Sequence, residues 1–126
     1  MCKKILKASL FTLLVAASSS YAQDTNGLAD SIEVCPKNSV LLTENEHTRL
    51  IHFKLKSGQK CPMHRTTGGF AYVISGATIT LITADGVKTP IVLKDGQALS
   101  YGPAEHVVEG MRGTFEAIFL ENKTSQ

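Results

Sequence analysis

The sequence of 126 residues contains no tryptophan and few other aromatic residues, five phenylalanines and three tyrosines. We therefore expect a core filled mainly by valine, isoleucine and leucine. No window shows a sustained helical period, and the chain has no internal repeat, no low-complexity tract and no linker between domains. These absences disfavour a helical bundle or a repeat architecture. They leave one small domain.

The chain also lacks an apolar run long enough to cross a membrane. The run from Leu10 to Ala17 is shorter than the roughly 20 residues that a span needs. It follows a basic start, Met1 to Lys7, and precedes Ser20-Tyr21-Ala22, which puts small residues where a signal peptidase reads them. The sequence therefore predicts a cleaved signal peptide over residues 1–22 and a mature periplasmic or secreted protein that begins at Gln23. The alternative is a membrane anchor.

Net charge is small once the leader is removed. The formal charge of +2 includes Lys3, Lys4 and Lys7 of the predicted signal peptide, so the mature chain carries about −1. Binding to nucleic acid or to an anionic membrane needs a basic balance that this chain lacks. We therefore predict no nucleic-acid partner and no membrane contact after signal removal, and we expect a small-molecule ligand.

Cysteine is scarce, and only Cys35 and Cys61 follow the leader. Because an exported protein meets an oxidising compartment, we predict that they form a disulfide. The bond would tie the N-terminal arm to the turn that precedes His64. We predict a flexible arm over residues 23–33 and a single domain over residues 34–126. Two unpaired thiols remain the alternative, and a thiolate ligand at Cys61 is a third interpretation.

Short runs typical of strands, separated by glycine-containing turns, fill the rest of the chain. Asp85-Gly86 is a two-residue hairpin signal, Pro90 marks a strand start or an edge strand, and Gly110–Gly113 is predicted as a turn. The pattern predicts an all-β fold, a small antiparallel β-barrel whose closure removes exposed sheet edges. The predicted strands are 49–56, 70–75, 77–83, 91–93, 97–101, 106–109 and 114–120.

Four histidines are candidates for chemistry, and strand alternation separates them. His52 shares a face with two lysines, and His47 lies in a polar stretch, so both are predicted to face solvent. His64 and His106 each follow a turn that contains proline and enter an apolar strand. They are therefore predicted to converge inside the barrel, although a lone buried histidine more often has a structural role.

The segment around His64 resembles the first signature of the small single-domain cupins, a superfamily of β-barrel proteins. That signature has a glycine, five residues, a His-x-His pair, a glutamate and a closing glycine. Gly58, His64 and Gly76 match it. Thr66 stands in the place of the second histidine, and Gly69 stands about where the glutamate is expected.

The segment around His106 resembles the second cupin signature, which has a glycine, a proline turn and a histidine. Gly96, Pro103 and His106 match it, with the spacing one residue shorter and Gly110 in place of the usual asparagine. The resemblance covers about residues 49–121. It implies a jelly-roll-like double-stranded β-helix, and it implies a homodimer, since dimers are common among such barrels.

The resemblance also bears on a metal. In members with the full motif, three histidines and a glutamate hold divalent iron, manganese, nickel or zinc and leave positions open for substrate. The match implies that His64 and His106 are two ligands of such an ion. Two imidazoles alone bind a metal ion weakly, so further donors would be needed. The candidates for a third ligand are Cys61, Glu105, Glu109 and a neighbouring subunit.

Three functions fit these observations. The first is a binding protein that holds a small polar ligand in the barrel mouth, with hydrogen bonds from His64, Thr66, His106, Tyr72 and Tyr101. The second is a metal-dependent cupin enzyme, an isomerase, lyase or dioxygenase that acts on a small oxygenated substrate. The third is a structural or interaction protein with a packed barrel. The residues leave catalysis and the identity of the ligand open.

Overall fold

The structure is a computed structural model that describes residues 28–124. The predicted signal peptide and residues 23–27 of the predicted arm lie outside this range. No helix in residues 28–124 has the length and apolar character needed to cross a membrane. The elements are α1 (Ser31–Val34), β1 (Ser39–Glu44), β2 (Thr48–Lys56), β3 (Lys60–Thr66), β4 (Gly69–Ser75), β5 (Ala77–Thr83), β6 (Lys88–Leu93), β7 (Ala98–Tyr101), β8 (Ala104–Arg112) and β9 (Thr114–Asn122).

The strands form two facing sheets in which every pair is antiparallel. The five-stranded sheet has the order β1-β2-β9-β4-β7, and the four-stranded sheet has the order β3-β8-β5-β6. Alternation along β2 buries Ile51, Phe53 and Leu55 between the sheets, as the sequence predicted. The prediction of an all-β, antiparallel barrel is confirmed.

One strand was missed and another was predicted too short because proline and glycine were interpreted as turns. Pro62 lies inside β3, where the ladder to β8 shifts between Cys61 and His64. A proline fits there because it has no N–H to donate and the ladder is interrupted at that point. Gly110 is likewise part of β8, which continues to Arg112, so the predicted turn over 110–113 is wrong. β1 was not predicted.

The connection between β5 and β6 is longer than the predicted two-residue hairpin. It spans residues 84–87, and the backbone N–H of Gly86 donates a hydrogen bond to the carbonyl oxygen of Thr83. Pro90 lies in β6 and pairs with Thr80 of β5, and β6 is an outer strand of its sheet. The prediction of an edge strand at Pro90 is therefore confirmed, because an edge strand tolerates a missing donor.

Phenylalanine contributes more to the core than the composition suggested. The rings of Phe53 and Phe115 lie 5.8 Å apart, and Phe119 meets Phe53 edge-on at 5.9 Å. Phe53 and Phe115 are buried alongside Leu55 and Val73. Aromatic pairs in this arrangement stabilise a core by about 0.5–1.5 kcal/mol beyond the area that they bury. Valine, isoleucine and leucine still supply most of the large buried side chains, as expected.

Residues 28–35 pack against the barrel, in contrast to the flexible arm expected up to residue 33. Asp30 caps α1, and the backbone N–H of Arg65 in β3 donates to the carbonyl oxygen of Ala29 at 2.9 Å. Cys35 and Cys61 form a disulfide that closes a loop with a sequence separation of 26 residues. A loop of this length stabilises the fold by about 3 kcal/mol in the chain-entropy model. The arm and the disulfide together cover the side of the barrel where β1 and β3 are the outer strands.

Candidate functional site

A cavity of about 180 Å³ lies between the two sheets. Most of its wall is aliphatic or aromatic, and its polar side chains come from a small number of positions. Such a combination of apolar walls and a few placed polar groups is typical of small-molecule sites. The polar lining residues are Ser31, Ser39, His64, Thr66, Tyr101, His106 and Glu121.

The two sheets are not joined between β6 and β7. These strands are the outer strands of different sheets, and neither is paired with the other. Their cavity-lining side chains Ile91, Leu99 and Tyr101 are partly buried.

His64 and His106 meet at the polar end of the cavity. They are direct partners in the ladder between β3 and β8, and their ring centroids lie 5.0 Å apart in an edge-on arrangement. His64 is buried and His106 is partly buried. The prediction that these two histidines converge inside the barrel agrees with this geometry. Their function in binding remains a prediction.

A hydrogen bond fixes the tautomer of His64. Its Nδ1 lies 2.9 Å from the carbonyl oxygen of Pro62, and 3.6 Å from Sγ of Cys61. A carbonyl oxygen only accepts, so Nδ1 carries the proton of the neutral ring and donates it to Pro62. The lone pair is then on Nε2, which is the nitrogen left for a molecule in the cavity. His64 is thus oriented as a hydrogen-bond acceptor or a metal ligand.

His106 is held in its neutral form by its surroundings. Burial and, to a smaller degree, the nearby ring of His64 lower the pKa of His106 to about 4. Both effects act against the protonated ring, because a cation loses solvation on burial and a second cation would repel it. Over the neutral pH range the ring of His106 is therefore uncharged.

This shift makes stability depend on pH. An unfolded chain titrates His106 near 6.5, so between about pH 4 and pH 6.5 the unfolded state binds more protons than the folded state. Stability is fully present above about pH 6.5 and is lost as the pH falls towards 4. When the pH falls from 7.5 to 5, we expect the free energy of unfolding of the wild type to fall by about 1.5 kcal/mol more than that of the His106→Gln variant. This figure allows for the partial exposure of the ring.

Urea unfolding at both pH values, with a chelator present, measures the difference. Protonation of carboxylates is common to both proteins, so the comparison isolates His106. Equal losses in the two proteins would contradict the pKa assignment.

A second polar cluster lies beside the histidines and is centred on Glu121. Glu121 is buried, with 6% of the residue exposed, and its Oε1 pairs with Arg49 at 3.0 Å. Its Oε2 accepts hydrogen bonds from the hydroxyl of Thr66 and, at 3.2 Å, from that of Tyr101. Arg49 also pairs with Asp30 at 2.8 Å. The network therefore extends from the N-terminal segment to the cavity wall.

The electrostatics of the network agree with its hydrogen bonds. Burial acts to lower the pKa of Arg49, but its hydrogen bonds to Asp30 and Glu121 raise that pKa above its usual value. Burial, and then the negative charge of Glu121, raise the pKa of Tyr101 well above its usual value. The phenol therefore stays protonated and donates to the carboxylate. Both oxygens of the buried Glu121 side chain therefore have partners.

Register explains how these side chains reach one another. Arg49, Glu121, Gly69 and Tyr101 are consecutive partners across β2, β9, β4 and β7. Gly69 has no side chain, so the hydroxyl of Tyr101 reaches Glu121 across it. Sequence reasoning missed Glu121, although its signal was present. Phe115, Ala117 and Phe119 face inward along β9, and the same alternation places Glu121 inward.

Other predicted residues occupy different places. Tyr72 is 53% exposed and lies on the outer face of β4, so its predicted position in the pocket is wrong. The strand alternates, and it is Ala71 and Val73 that face the cavity. His47 is exposed, as predicted. His52 lies on the outer face, as predicted, but it is half-buried and pairs with Glu116 at 2.6 Å.

Comparisons with known proteins give matches at the level of structure alone. No family model matches the sequence, and no curated protein matches it. A solved cupin domain from Bordetella pertussis Tohama I matches with a TM-score of 0.60 and 18% identity over 68% of this chain and 92% of that one. This chain has the cupin fold.

Two further solved structures agree. An RmlC-like cupin family protein with a double-stranded β-helix fold from Methanocaldococcus jannaschii has a TM-score of 0.51 and 17% identity, over 67% of this chain and 77% of that one. A cupin 2 conserved barrel domain protein from Leptotrichia buccalis has a TM-score of 0.52 and 18% identity, over 68% of this chain and 40% of that one. The resemblance drawn from the two cupin motifs is therefore confirmed for the fold.

The residues present do not fit the four-ligand metal set of cupins that have the full motif. Thr66, in the place of the second histidine, donates its hydroxyl to Glu121. Gly69 has no room for a glutamate, since any Cβ there would overlap the carbonyl oxygen of Leu120. Cys61 is in the disulfide, and Glu105 is exposed. Within residues 28–124 no group of three or more His, Cys, Asp or Glu side chains is arranged to hold a metal ion.

Proposed function

We propose that this protein is an exported cupin-fold binding protein for a small, mostly apolar molecule with one hydroxyl group. The observation that carries the proposal is the cavity itself, whose walls are aliphatic and aromatic except for His64, His106, the Glu121 cluster and the hydroxyl groups of Ser31 and Ser39. This revises the predicted polar ligand, because a fully polar molecule would leave its groups unpaired against apolar walls.

Size supports a ligand built on one ring. The cavity of about 180 Å³ is slightly larger than the roughly 150 Å³ apolar cavity known to accept benzene. A phenol with one short substituent fits this volume. Its ring would contact the side chains of Phe53, Phe115 and Phe119, which line the cavity.

Hydrogen-bond chemistry supports the hydroxyl. His64 offers a lone pair on Nε2 because its other ring nitrogen donates to Pro62. An acceptor in this position favours a ligand that donates, such as a phenol or an alcohol. A polar site built to pair with a hydroxyl discriminates strongly against an analogue without one, because its own buried groups are then left unpaired.

Export is supported by the sequence of the leader and by the disulfide. Disulfides of this kind persist in oxidising compartments such as the periplasm. We favour binding over the alternative, a metal-dependent isomerase, lyase or dioxygenase, because two imidazoles without a third protein ligand are a weak metal site. The nearby carboxylate of Glu121 already pairs with Arg49, Thr66 and Tyr101. No catalytic residue is proposed.

The test compares 4-methylphenol with toluene, which has the same ring and methyl group but no hydroxyl. We expect the protein to bind 4-methylphenol at least tenfold more tightly, measured by ligand-observed NMR or calorimetry. His64→Ala and His106→Ala should each reduce this preference about tenfold, which corresponds to the loss of a buried hydrogen bond. The double variant should lose less than the sum of the two, because the residues are in contact.

His52→Ala is the control, since His52 lies on the outer face of the same barrel and should leave the preference unchanged. Equal affinity for 4-methylphenol and toluene, or a preference that survives both histidine substitutions, would contradict the assignment. Metal analysis of protein purified without an affinity tag gives the other decisive outcome. Stoichiometric iron, manganese, nickel or zinc would favour the metal-dependent alternative.

A further inference from the structure

Two serine hydroxyl groups line the cavity, and the binding mode proposed above does not use them. Ser31 is the first residue of α1 and Ser39 is the first residue of β1. Their Oγ atoms lie 2.7 Å apart. Ser39 is almost completely buried, with 1% of the residue exposed, and Ser31 is partly buried. A molecule in the cavity would therefore meet both hydroxyl groups, which we call the serine pair.

The serine pair has one more O–H group than its own hydrogen bond uses. Each hydroxyl carries one proton, and only one proton lies between the two oxygens, whichever serine donates it. Within the part of the chain that the structure describes, this bond is the only hydrogen bond of either side chain. A buried donor without an acceptor costs free energy. The second proton of the pair is therefore available to an acceptor on a ligand.

Backbone hydrogen bonds and the disulfide hold the serine pair in position. The backbone N–H of Cys35 donates to the carbonyl oxygen of Ser31, and that of Ser39 donates to the carbonyl oxygen of Cys35, each at 2.9 Å. Cys35 is in turn joined to Cys61 of β3 by the disulfide. A donor that is ordered before the ligand arrives loses little conformational freedom on binding. The pair is thus built as a fixed part of the cavity wall.

The cavity has an acceptor on one wall and a donor on another. His64 lies in β3 of the four-stranded sheet and offers the lone pair of Nε2, because Nδ1 donates to the carbonyl oxygen of Pro62. Ser39 lies in β1 of the five-stranded sheet and belongs to a pair that offers a proton. A ring between the sheets can meet both groups when it carries a hydroxyl at one position and an acceptor at another.

From these observations we propose that the serine pair is a second binding subsite, which selects ligands whose ring carries an ether or carbonyl oxygen in addition to the hydroxyl. The inference rests on the proposed function, because it takes the hydroxyl to be bound at His64. An ether or carbonyl oxygen accepts the second proton of the pair, whereas an alkyl group in the same place leaves that proton unpaired. The ligand class is thus a hydroxylated aromatic ether, aldehyde or ketone.

Methoxyphenols and ethylphenols test the subsite, because a methoxy and an ethyl group have nearly the same size and differ by one oxygen. We expect 3-methoxyphenol or 4-methoxyphenol to bind about fivefold more tightly than the ethylphenol with the same substitution, measured by calorimetry or ligand-observed NMR. The Ser31→Ala/Ser39→Ala variant should lose this preference. It should remain folded, as circular dichroism checks, since replacing both partners of a hydrogen bond by apolar groups is nearly neutral.

Ser100→Ala serves as the control for loss of a serine hydroxyl outside the cavity. Ser100 is exposed on β7, whose neighbours Leu99 and Tyr101 line the cavity, so its substitution should leave the methoxyphenol preference unchanged. The preference for 4-methylphenol over toluene reports the proposed function separately, and the double serine variant should retain it.

Three results would overturn the subsite. If wild type prefers 4-methylphenol to toluene but binds methoxyphenols and ethylphenols alike, the proposed function stands and the serine pair is not a subsite. A methoxyphenol preference that survives in the double serine variant has another source. A double serine variant that loses both preferences would show that the serines support the whole cavity and do not contact one ligand atom. Equal binding of 4-methylphenol and toluene by wild type would instead contradict the proposed function, and the subsite with it.

Discussion

Replacing Glu121 with alanine is expected to lower the free energy of unfolding by about 3 kcal/mol. The carboxylate is buried and accepts from Arg49, Thr66 and Tyr101, so its removal leaves one buried and two partly buried donors short of a partner. Breaking a buried ion pair from one side commonly destabilises by about 3–5 kcal/mol. We take the lower end because Arg49 retains its pair with Asp30. Urea unfolding at pH 7.5 measures the change.

Two further variants separate charge from shape. Glu121→Gln retains the size of the side chain and should fall between wild type and Glu121→Ala. Glu105→Ala removes a carboxylate that is exposed on the outer face of the other sheet, and should change stability by no more than about 0.5 kcal/mol. If Glu121→Ala and Glu105→Ala have equal effects, the network contributes nothing to stability.

The network also affects the proposed binding site. Glu121 holds the hydroxyl of Tyr101 at the cavity wall, and Arg49 joins this wall to the N-terminal segment through Asp30. Residues that the sequence assigned to a flexible arm thus help to order one end of the cavity. A loss of stability in Glu121→Ala should therefore be accompanied by weaker discrimination between 4-methylphenol and toluene.

Alternation and turn chemistry were enough to predict the fold. In β2, the apolar residues Ile51, Phe53 and Leu55 alternate with polar neighbours. Apolar side chains at every second position indicate a strand that is buried on one face only. β5 was predicted with its observed bounds because β-branched residues fill it between two glycine turns. β3 was missed for a physical reason. A proline often marks the end of a strand, and here it lies within an outer strand, at a register shift that the sequence does not reveal.

The candidate site was only partly predictable. His64 and His106 were found because both depart from an apolar pattern in segments with a strong turn signature. Tyr72 was misplaced because the apolar run over residues 70–75 hides its alternation, and nothing in such a run distinguishes inner from outer positions. Glu121 was missed because its partners come from β2, β3 and β7. Pairing between distant strands depends on register, which a single sequence gives weakly.

Replacing Gly69 with alanine is expected to destabilise the protein by about 4 kcal/mol or more, at the upper end of single substitutions. A Cβ at this position would lie 3.0 Å from Cα of Glu121 and closer still to the carbonyl oxygen of Leu120. Both atoms belong to the backbone of β9, which is paired on both sides and has little freedom to move. Thermal and urea unfolding measure the loss.

Gly102→Ala is the matched control, because a Cβ there meets nothing within 4 Å and the backbone is not in the left-handed region. It should change stability by less than about 0.5 kcal/mol. If Gly69→Ala is equally mild, β4 and β9 are not packed as described.

The position of Gly69 also bears on the lost metal motif. Since position 69 lies between Tyr101 and Glu121 in register, a glutamate there would displace the hydrogen bond that now joins them. Restoring a histidine at position 66 alone is therefore not expected to rebuild the four-ligand set.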